Sequence, residues 1–439
     1  MKSAIPKVLH SIAGKPLLEH VVLAAQELGG HAVYVIYGHG GEQVKKSLSH
    51  LQVTWVEQAQ QLGTGHAVQQ VIPNINDEDI VLVLYGDVPL IKTATLENLI
   101  HNVDDHTLAL LTADLMNATG YGRIVRNDKG SVTCIVEEKD ATAEQRQIRE
   151  INTGMLAVAA PRLRQWLGQL QNNNAQGEYY LTDIVAMAVR DKVTIKTSAP
   201  GTLSEIEGVN NRKQLAELER DYQMQQAETL MLQGVTLRDP ARFDVRGTVT
   251  IGQDVTIDVN VILEGNVTIG NGVSIGANTI IKDSTIGDNV IIRSHCHIEG
   301  ATIESECQIG PFARMRTGTH LQQNARIGNF VEIKKSQVGI NSKVNHLSYI
   351  GDTTMGRDVN VGAGTITCNY DGANKYQTII GDKAFIGSDT QLVAPVTIGD
   401  GATIGAGSTI THDAPAGQLT LSRSEQKTRK GWKRPVKSN

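Results

Sequence analysis

Two groups of residues in this 439-residue chain have types and spacings that chemistry could use. The first contains Leu84-Tyr85-Gly86-Asp87-Val88-Pro89-Leu90, an apolar strand ending in Gly-Asp. An Asp just past a strand terminus, beside a Gly that permits close approach, either holds a divalent metal on a phosphate or caps the next turn. Upstream, Gln58–Gly65 reads Gln-Ala-Gln-Gln-Leu-Gly-Thr-Gly, a polar loop that enters a helix at Thr64. Its backbone N–H groups either grip a base or phosphate or merely form a glycine turn. The second group runs from Arg316 to Arg423. Arg316, Lys334 and Lys375 bring positive charge, and His346 and Tyr349 occupy outward positions beside the apolar Val344 and Ile350. A lone surface His or a solvated Lys means little. Here they surround Cys368-Asn369-Tyr370-Asp371-Gly372-Ala373-Asn374-Lys375, a polar loop ejected from an otherwise regular pattern, and such loops commonly carry binding residues.

The regular pattern is a six-residue beat. Aliphatic side chains fall at Ile251, Ile257, Leu263, Ile269, Ile275 and Ile281, with Val255, Val261, Val267, Val273 and Thr279 at the fourth position after each of the first five. The register slips by one at Ile286, Ile303, Val338 and Met355, then returns at Ile380, Ile386, Leu392, Ile398, Ile404 and Ile410. This hexapeptide signature predicts a parallel β-helix, a rigid solenoid whose rungs bury their side chains against one another. Cys296 and Cys307 take the small inward position and are expected to be buried packing residues. With Cys134 and Cys368 they form no CxxC pair and no zinc spacing, so neither a disulfide framework nor a zinc site is expected.

Residues up to about 200 alternate between strand-like and helix-like segments. Ala32–Tyr37, Ile80–Tyr85, Leu108–Thr112 and Ile151–Ala159 read as strands, and Pro16–Leu28 and Thr93–His101 as helices. The alternation predicts an α/β domain with a mostly parallel sheet and ligands beyond the strands' carboxyl ends. The stretch from Asn211 to Gln233 lacks Gly and Pro and predicts a joining helix, and Ala414–Asn439 reads as a basic, irregular tail that closes the last rung. The resulting division is 1–210, 211–233, 234–411 and 412–439. A formal charge of −5 argues against a general nucleic-acid binder, and no apolar run reaches membrane-spanning length, so no membrane insertion is expected. The polar start, Met1 to Lys7, makes the cytosol the default compartment.

In combination these features are more specific than any of them alone. Pro6-Lys7, Gln58, Leu62-Gly63-Thr64-Gly65, Gly86-Asp87, Gly120-Tyr121-Gly122-Arg123, Glu137, Asn152-Thr153-Gly154 and Gly208-Val209-Asn210-Asn211 occur in that order. The order resembles the sugar-phosphate nucleotidylyltransferases. Followed by hexapeptide repeats, it is similar to the bacterial bifunctional N-acetylglucosamine-1-phosphate uridylyltransferase / glucosamine-1-phosphate acetyltransferases over essentially the whole chain. The resemblance implies a Rossmann-like nucleotidylyltransferase domain followed by a left-handed parallel β-helix, assembled as a homotrimer with sites between neighbouring subunits.

It further implies residue roles. Asp87 and Asn210 match magnesium ligands, and Gln58, Gly63 and Thr64 match uridine contacts. Lys7 matches a phosphate contact, and Gly122, Glu137 and Asn152 match amino-sugar contacts. On the repeats, His346 matches the general base for attack of the glucosamine amine on acetyl-CoA. Arg316, Lys334, Tyr349, Asn360 and Lys375 match sugar-phosphate contacts, and Ala363, Asn369, Tyr370, Ser388, Ala406 and Arg423 match acetyl-CoA contacts. The implied function is the two-step synthesis of UDP-N-acetylglucosamine for cell-envelope polysaccharides, with Mg2+ as cofactor and acetyl-CoA and UTP as co-substrates. The family also opens with a strand and a Gly-x-Gly-Thr-Arg-Met phosphate loop. The present sequence starts at what matches the final Met of that motif, which leaves an acetyltransferase with an inactive first domain as an alternative. A non-catalytic assembly protein is the rival from another class, since fold alone does not settle function. An ADP-glucose pyrophosphorylase-like enzyme pairs the same folds but would not need the set His346, Tyr349, Asn369 and Lys375.

Overall fold

The computed structural model describes residues 1–30, 32–38 and 40–437 and divides the chain into two compact units, Met1–Tyr222 and Gln223–Asn439, the last two residues lying outside the described ones. In the first unit the chain runs α1 (Leu17–Glu27), β1 (Tyr34–Tyr37), α2 (Gly41–Ser47), β2 (Thr54–Glu57), α3 (Thr64–Gln69), β3 (Ile80–Val83) and α4 (Thr93–His101). Then come β4 (Thr107–Asp114), β5 (Gly122–Arg126), β6 (Val132–Val136), β7 (Glu150–Ala159), α5 (Ala160–Leu167), α6 (Asp183–Arg190) and β8 (Thr194–Ser198), after which α7 (Arg212–Leu232) begins in the first unit and ends in the second. Helix α4 shows the logic of placement: Leu96 and Leu99 are fully buried against Leu111, Ile151 and Met155 of the sheet.

The sheet is less parallel than the strand composition suggests. Strands β1 and β2 pair in parallel, as do β4 and β8, but β7 runs antiparallel to β3, β4 and β5, and β5 and β6 form an antiparallel pair. The cause is the connections. No α-helix lies between Thr107 and Ala159, and parallel neighbours need a long crossover whereas antiparallel ones do not. The expectation of a mostly parallel sheet is therefore corrected to a mixed one.

The second unit is a left-handed parallel β-helix of hexapeptide repeats, with rung pairing on every face in parallel register. The beat maps onto a single continuous core that runs from Val255 and Ile257 through Ile333 and Ile350 to Ile404 and Ile410. Cys296 and Cys307 are buried in it, and burial pushes the Cys307 thiol up to about 12, which leaves an inert packing group. Corner residues take the left-handed conformation, and many are Asn or Asp, whose short polar side chains tolerate it. They also chain the rungs together: Asn324 donates to Asn341 (2.7 Å), which donates to Asp358 (3.0 Å). At the far end Leu419–Thr420 pairs with Thr403–Ile404 as a final strand, covering the last edge.

Candidate active sites

In the first unit, the residues expected to meet phosphate and metal do come together. Lys7, on a short 3-10 turn, forms an ion pair with Asp87 and donates from Nζ to Asn210 Oδ1 at 2.9 Å. The Val209 N–H donates to the Asp87 carbonyl (2.9 Å), which holds the 208–210 segment against the end of the β3 strand's loop. Among the described residues no cluster of three or more His, Cys, Asp or Glu side chains could hold a metal. A carboxylate and an amide oxygen are nevertheless the donors Mg2+ takes, because it keeps waters and substrate phosphates as its remaining ligands.

The Gln58–Gly65 loop is built by its own contacts. The Gln58 side-chain amide donates to the Gly63 carbonyl (3.1 Å), and the Thr64 hydroxyl accepts from the Leu181 N–H (3.1 Å). Gly63 has φ of +110°, and a Cβ there would lie 2.7 Å from the Tyr179 carbonyl oxygen, so only glycine fits. Helix α3 has six residues, and the Gly65 N–H donates to Tyr179 O (2.8 Å), so that donor is used inside the fold. Beyond the carboxyl ends of β1 and β2 lies a cavity of about 600 Å³ lined by Tyr37, Gly38, Glu57, Gln58, Ala59 and Gln61 among others. That is where open α/β sheets take ligands.

Gly122, Glu137 and Asn152 also converge. Gly122 pairs with Asn152, and a Cβ on Gly122 would sit 3.4 Å from a Glu137 carboxylate oxygen. Burial raises the Glu137 carboxyl above its usual range, an effect opposed by the Thr182 hydroxyl that donates to it (3.0 Å) and reinforced by Asp140. The Tyr85 hydroxyl is pushed up to about 12, by burial first and then by the Glu137 and Asp87 charges, so it stays neutral. Tyr85 and Thr182 were not singled out from sequence. Tyr85 reads as one more strand residue, and Thr182 carries no local signal. The raised Glu137 fixes a prediction. Above its folded-state value the buried carboxylate destabilises the unit, and protonation removes that penalty as pH falls toward the unfolded value near 4.3. Glu137→Gln should therefore melt a few degrees higher than the parent at neutral pH, with the gap closing at low pH. A lower melting temperature at neutral pH would contradict the burial argument.

On the solenoid, rung register assembles the second site. Val344, Val361, Ile386 and Ile404 are paired in sequence from rung to rung. Two residues after each stand His346, Ala363, Ser388 and Ala406, so these four form one column with about 4.8 Å between rungs. Asn329 pairs with His346 one rung earlier, and its Oδ1 lies 3.1 Å from His346 Nδ1. With the Asn329 carbonyl accepting from Nδ1–H, the other ring nitrogen keeps its lone pair. Asn329 was missed from sequence, although it lies one rung's length before His346. At the foot of the column Arg423 donates to the Ala406 carbonyl (3.0 Å).

On a neighbouring face Arg316 and Lys334 follow the paired Met315 and Ile333, one rung apart. Lys375 reaches them from the ejected loop. Lys334 is held below the ordinary lysine range first by the Lys375 ammonium, then by desolvation and by Arg316, with Asp352 only partly opposing them. Arg316 itself pairs with Glu332 at 2.9 Å. A Cβ at Gly351 would lie 2.5 Å from the Tyr349 hydroxyl, so the glycine lets that ring fold along the rung. Asn369 is buried and bonded to Asp352, and Tyr370 is exposed, its hydroxyl on the Gly372 carbonyl at 2.5 Å, so these two shape the loop. Asn360 pairs with Lys343 on the face that carries His346.

An α/β unit followed by a hexapeptide-repeat solenoid defines the class of hexapeptide-repeat nucleotidylyltransferases. Residues 1–177 match the MobA-like NTP transferase domain, 245–327 the GMPPB C-terminal domain and 377–412 the bacterial transferase hexapeptide (six repeats). Over its full length the chain is 58% identical to the bifunctional protein GlmU of Marinobacter nauticus, covering 96% of it. It is 57% identical to the bifunctional protein GlmU of Cellvibrio japonicus, covering all of this chain and 97% of that one. The chain belongs to the GlmU family of bifunctional enzymes. It N-acetylates glucosamine-1-phosphate from acetyl-CoA and transfers uridylate from UTP to the resulting N-acetylglucosamine-1-phosphate. Among the described residues no helix is long and apolar enough to cross a membrane.

Proposed function

We propose that the two reactions are carried by the two residue sets just described, 1–210 performing uridylyl transfer and 234–411 acetyl transfer, joined by 211–233 and closed by 412–439. In the first site Asp87 and Asn210 hold Mg2+, which neutralises phosphate oxyanions when bound. Lys7 takes a phosphate, Gln58, Gly63 and Thr64 position the uridine, and Gly122, Glu137 and Asn152 hold the amino sugar. The sugar phosphate is already an anion and attacks the α-phosphorus directly, so the site needs no side-chain nucleophile.

In the second site Arg316, Lys334 and Lys375 bind the sugar phosphate, with Tyr349 on the same face and Asn360 contributing from the face that carries His346. His346 Nε2 takes the amine proton as the nitrogen attacks the thioester. Ala363, Ser388 and Ala406 track acetyl-CoA along the column below, with Asn369, Tyr370 and Arg423 as further contacts. The observation that carries this reading is the column itself: a histidine with an oriented ring heads a line of small residues, beside cations in excess of their counter-charges. The working form is a cytosolic homotrimer with acetyl-transfer sites completed by a neighbouring subunit. Residues from about 235 onward, expressed alone, should form a stable trimer that acetylates glucosamine-1-phosphate, as read by light scattering and CoA release. A fully active monomer would remove the intersubunit site.

A further inference from the structure

The oxygens that suit a divalent cation already share one positive charge. Lys7 Nζ is ion-paired with Asp87 Oδ2 and lies 2.9 Å from Asn210 Oδ1. We infer that Lys7 is the resident counter-ion of this metal site: its ammonium and the divalent cation compete for the same two oxygens, and metal binding turns Lys7 outward to a phosphate. The inference rests on the reading of Asp87 and Asn210 as metal ligands.

Three observations support the exchange. The acceptors are fixed, because the Val209 N–H on the Asp87 carbonyl and the Gln214 side-chain oxygen on the Asn210 N–H (2.9 Å each) tie both residues by their main chains. The ammonium is movable: it sits on a four-carbon stem that is 37% exposed, so it can swing without backbone rearrangement. The charges also balance in both states. With Lys7 seated, its single charge cancels that of Asp87. With a divalent ion seated and Lys7 turned out, a net charge of about +2 faces the polyphosphate, whereas both cations on the same oxygens would repel strongly. The device keeps the carboxylate neutralised between turnovers. It also makes metal and nucleotide binding mutually reinforcing, since the phosphates accept the displaced ammonium.

The test is Mn2+ binding to the full chain without nucleotide, followed by electron paramagnetic resonance. Lys7→Gln should bind Mn2+ about tenfold more tightly than the parent, equivalent to about 1.4 kcal/mol. Asp87→Asn should abolish binding in either background. Equal or weaker affinity in Lys7→Gln, with Asp87→Asn still abolishing binding, overturns the exchange but leaves the metal site standing. Unchanged Mn2+ binding in Asp87→Asn overturns the metal site itself. A measurement on the unsubstituted protein adds an independent check: amine-reagent labelling of Lys7, read by mass spectrometry, should rise when Mg2+ is added. No rise at saturating Mg2+ also overturns the exchange.

Discussion

His346→Ala lowers acetyl transfer by about 10²–10⁴-fold, the range expected for loss of a positioned general base. The fold should be untouched, since His346 is exposed at the end of the strand Lys343–His346 while the neighbouring Val344 and Ile350 carry the core. The loss should fall on kcat, because the cations Arg316, Lys334 and Lys375 that would bind the sugar phosphate remain. Asn329→Ala should give a smaller loss of the same kind: the imidazole is still present, but nothing then fixes Nδ1 as the protonated nitrogen. Release of free CoA thiol measures both variants. Near-normal turnover by His346→Ala would remove this residue from the chemistry and leave the column as a binding track only. The uridylyl activity supplies the control, since its residues lie in a unit with separate cores.

How much of this is legible in the sequence depends on whether a contact obeys the repeat. The beat from Ile251 to Ile410 predicts the core positions, including the burial of Cys296 and Cys307, because each rung has the same geometry. His346 and Ala363 follow Asn329 at successive intervals of 17 residues, so their stacking was available to a close reading. Ser388 comes 25 residues after Ala363, since the ejected loop is inserted between them, and no fixed period could align it. The approach of Lys375 to Lys334 is likewise a property of how that loop folds back. In the first unit, strand and helix positions followed composition, with Thr93–His101 placed to the residue. Strand direction did not follow, because β4 and β7 are antiparallel yet buried on both faces, and so read as the continuous apolar runs that parallel strands usually give. The long interval without an α-helix from Thr107 to Ala159 is the signal that shows it. Gly122, Glu137 and Asn152 are brought together by cross-strand register, which a list of residues in chain order does not contain.

The second large effect is expected at Asp87. Asp87→Asn should reduce uridylyl transfer by about 10²–10³-fold, the several kcal/mol attributed to charge stabilisation at a transferring phosphoryl group. The substitution preserves shape and one oxygen, and the Val209 N–H bond to the main-chain carbonyl at 87 is unaffected, so the loop should remain in place. What disappears is the negative charge. Lys7 loses its ion-pair partner, Asn210 is left as a neutral ligand, and no cluster of acidic side chains stands ready to substitute among the described residues. Acetyl transfer should continue at the parental rate, because His346 and its column belong to the other unit and depend on none of these groups. Pyrophosphate release from UTP and N-acetylglucosamine-1-phosphate, run beside the CoA-release assay on the same preparation, reads both activities. Parallel losses in the two assays would point to a folding defect. Parental pyrophosphate release would mean that the phosphate chemistry is centred elsewhere than on Asp87. A selective loss would locate it at the Gly86-Asp87 pair that follows an apolar strand.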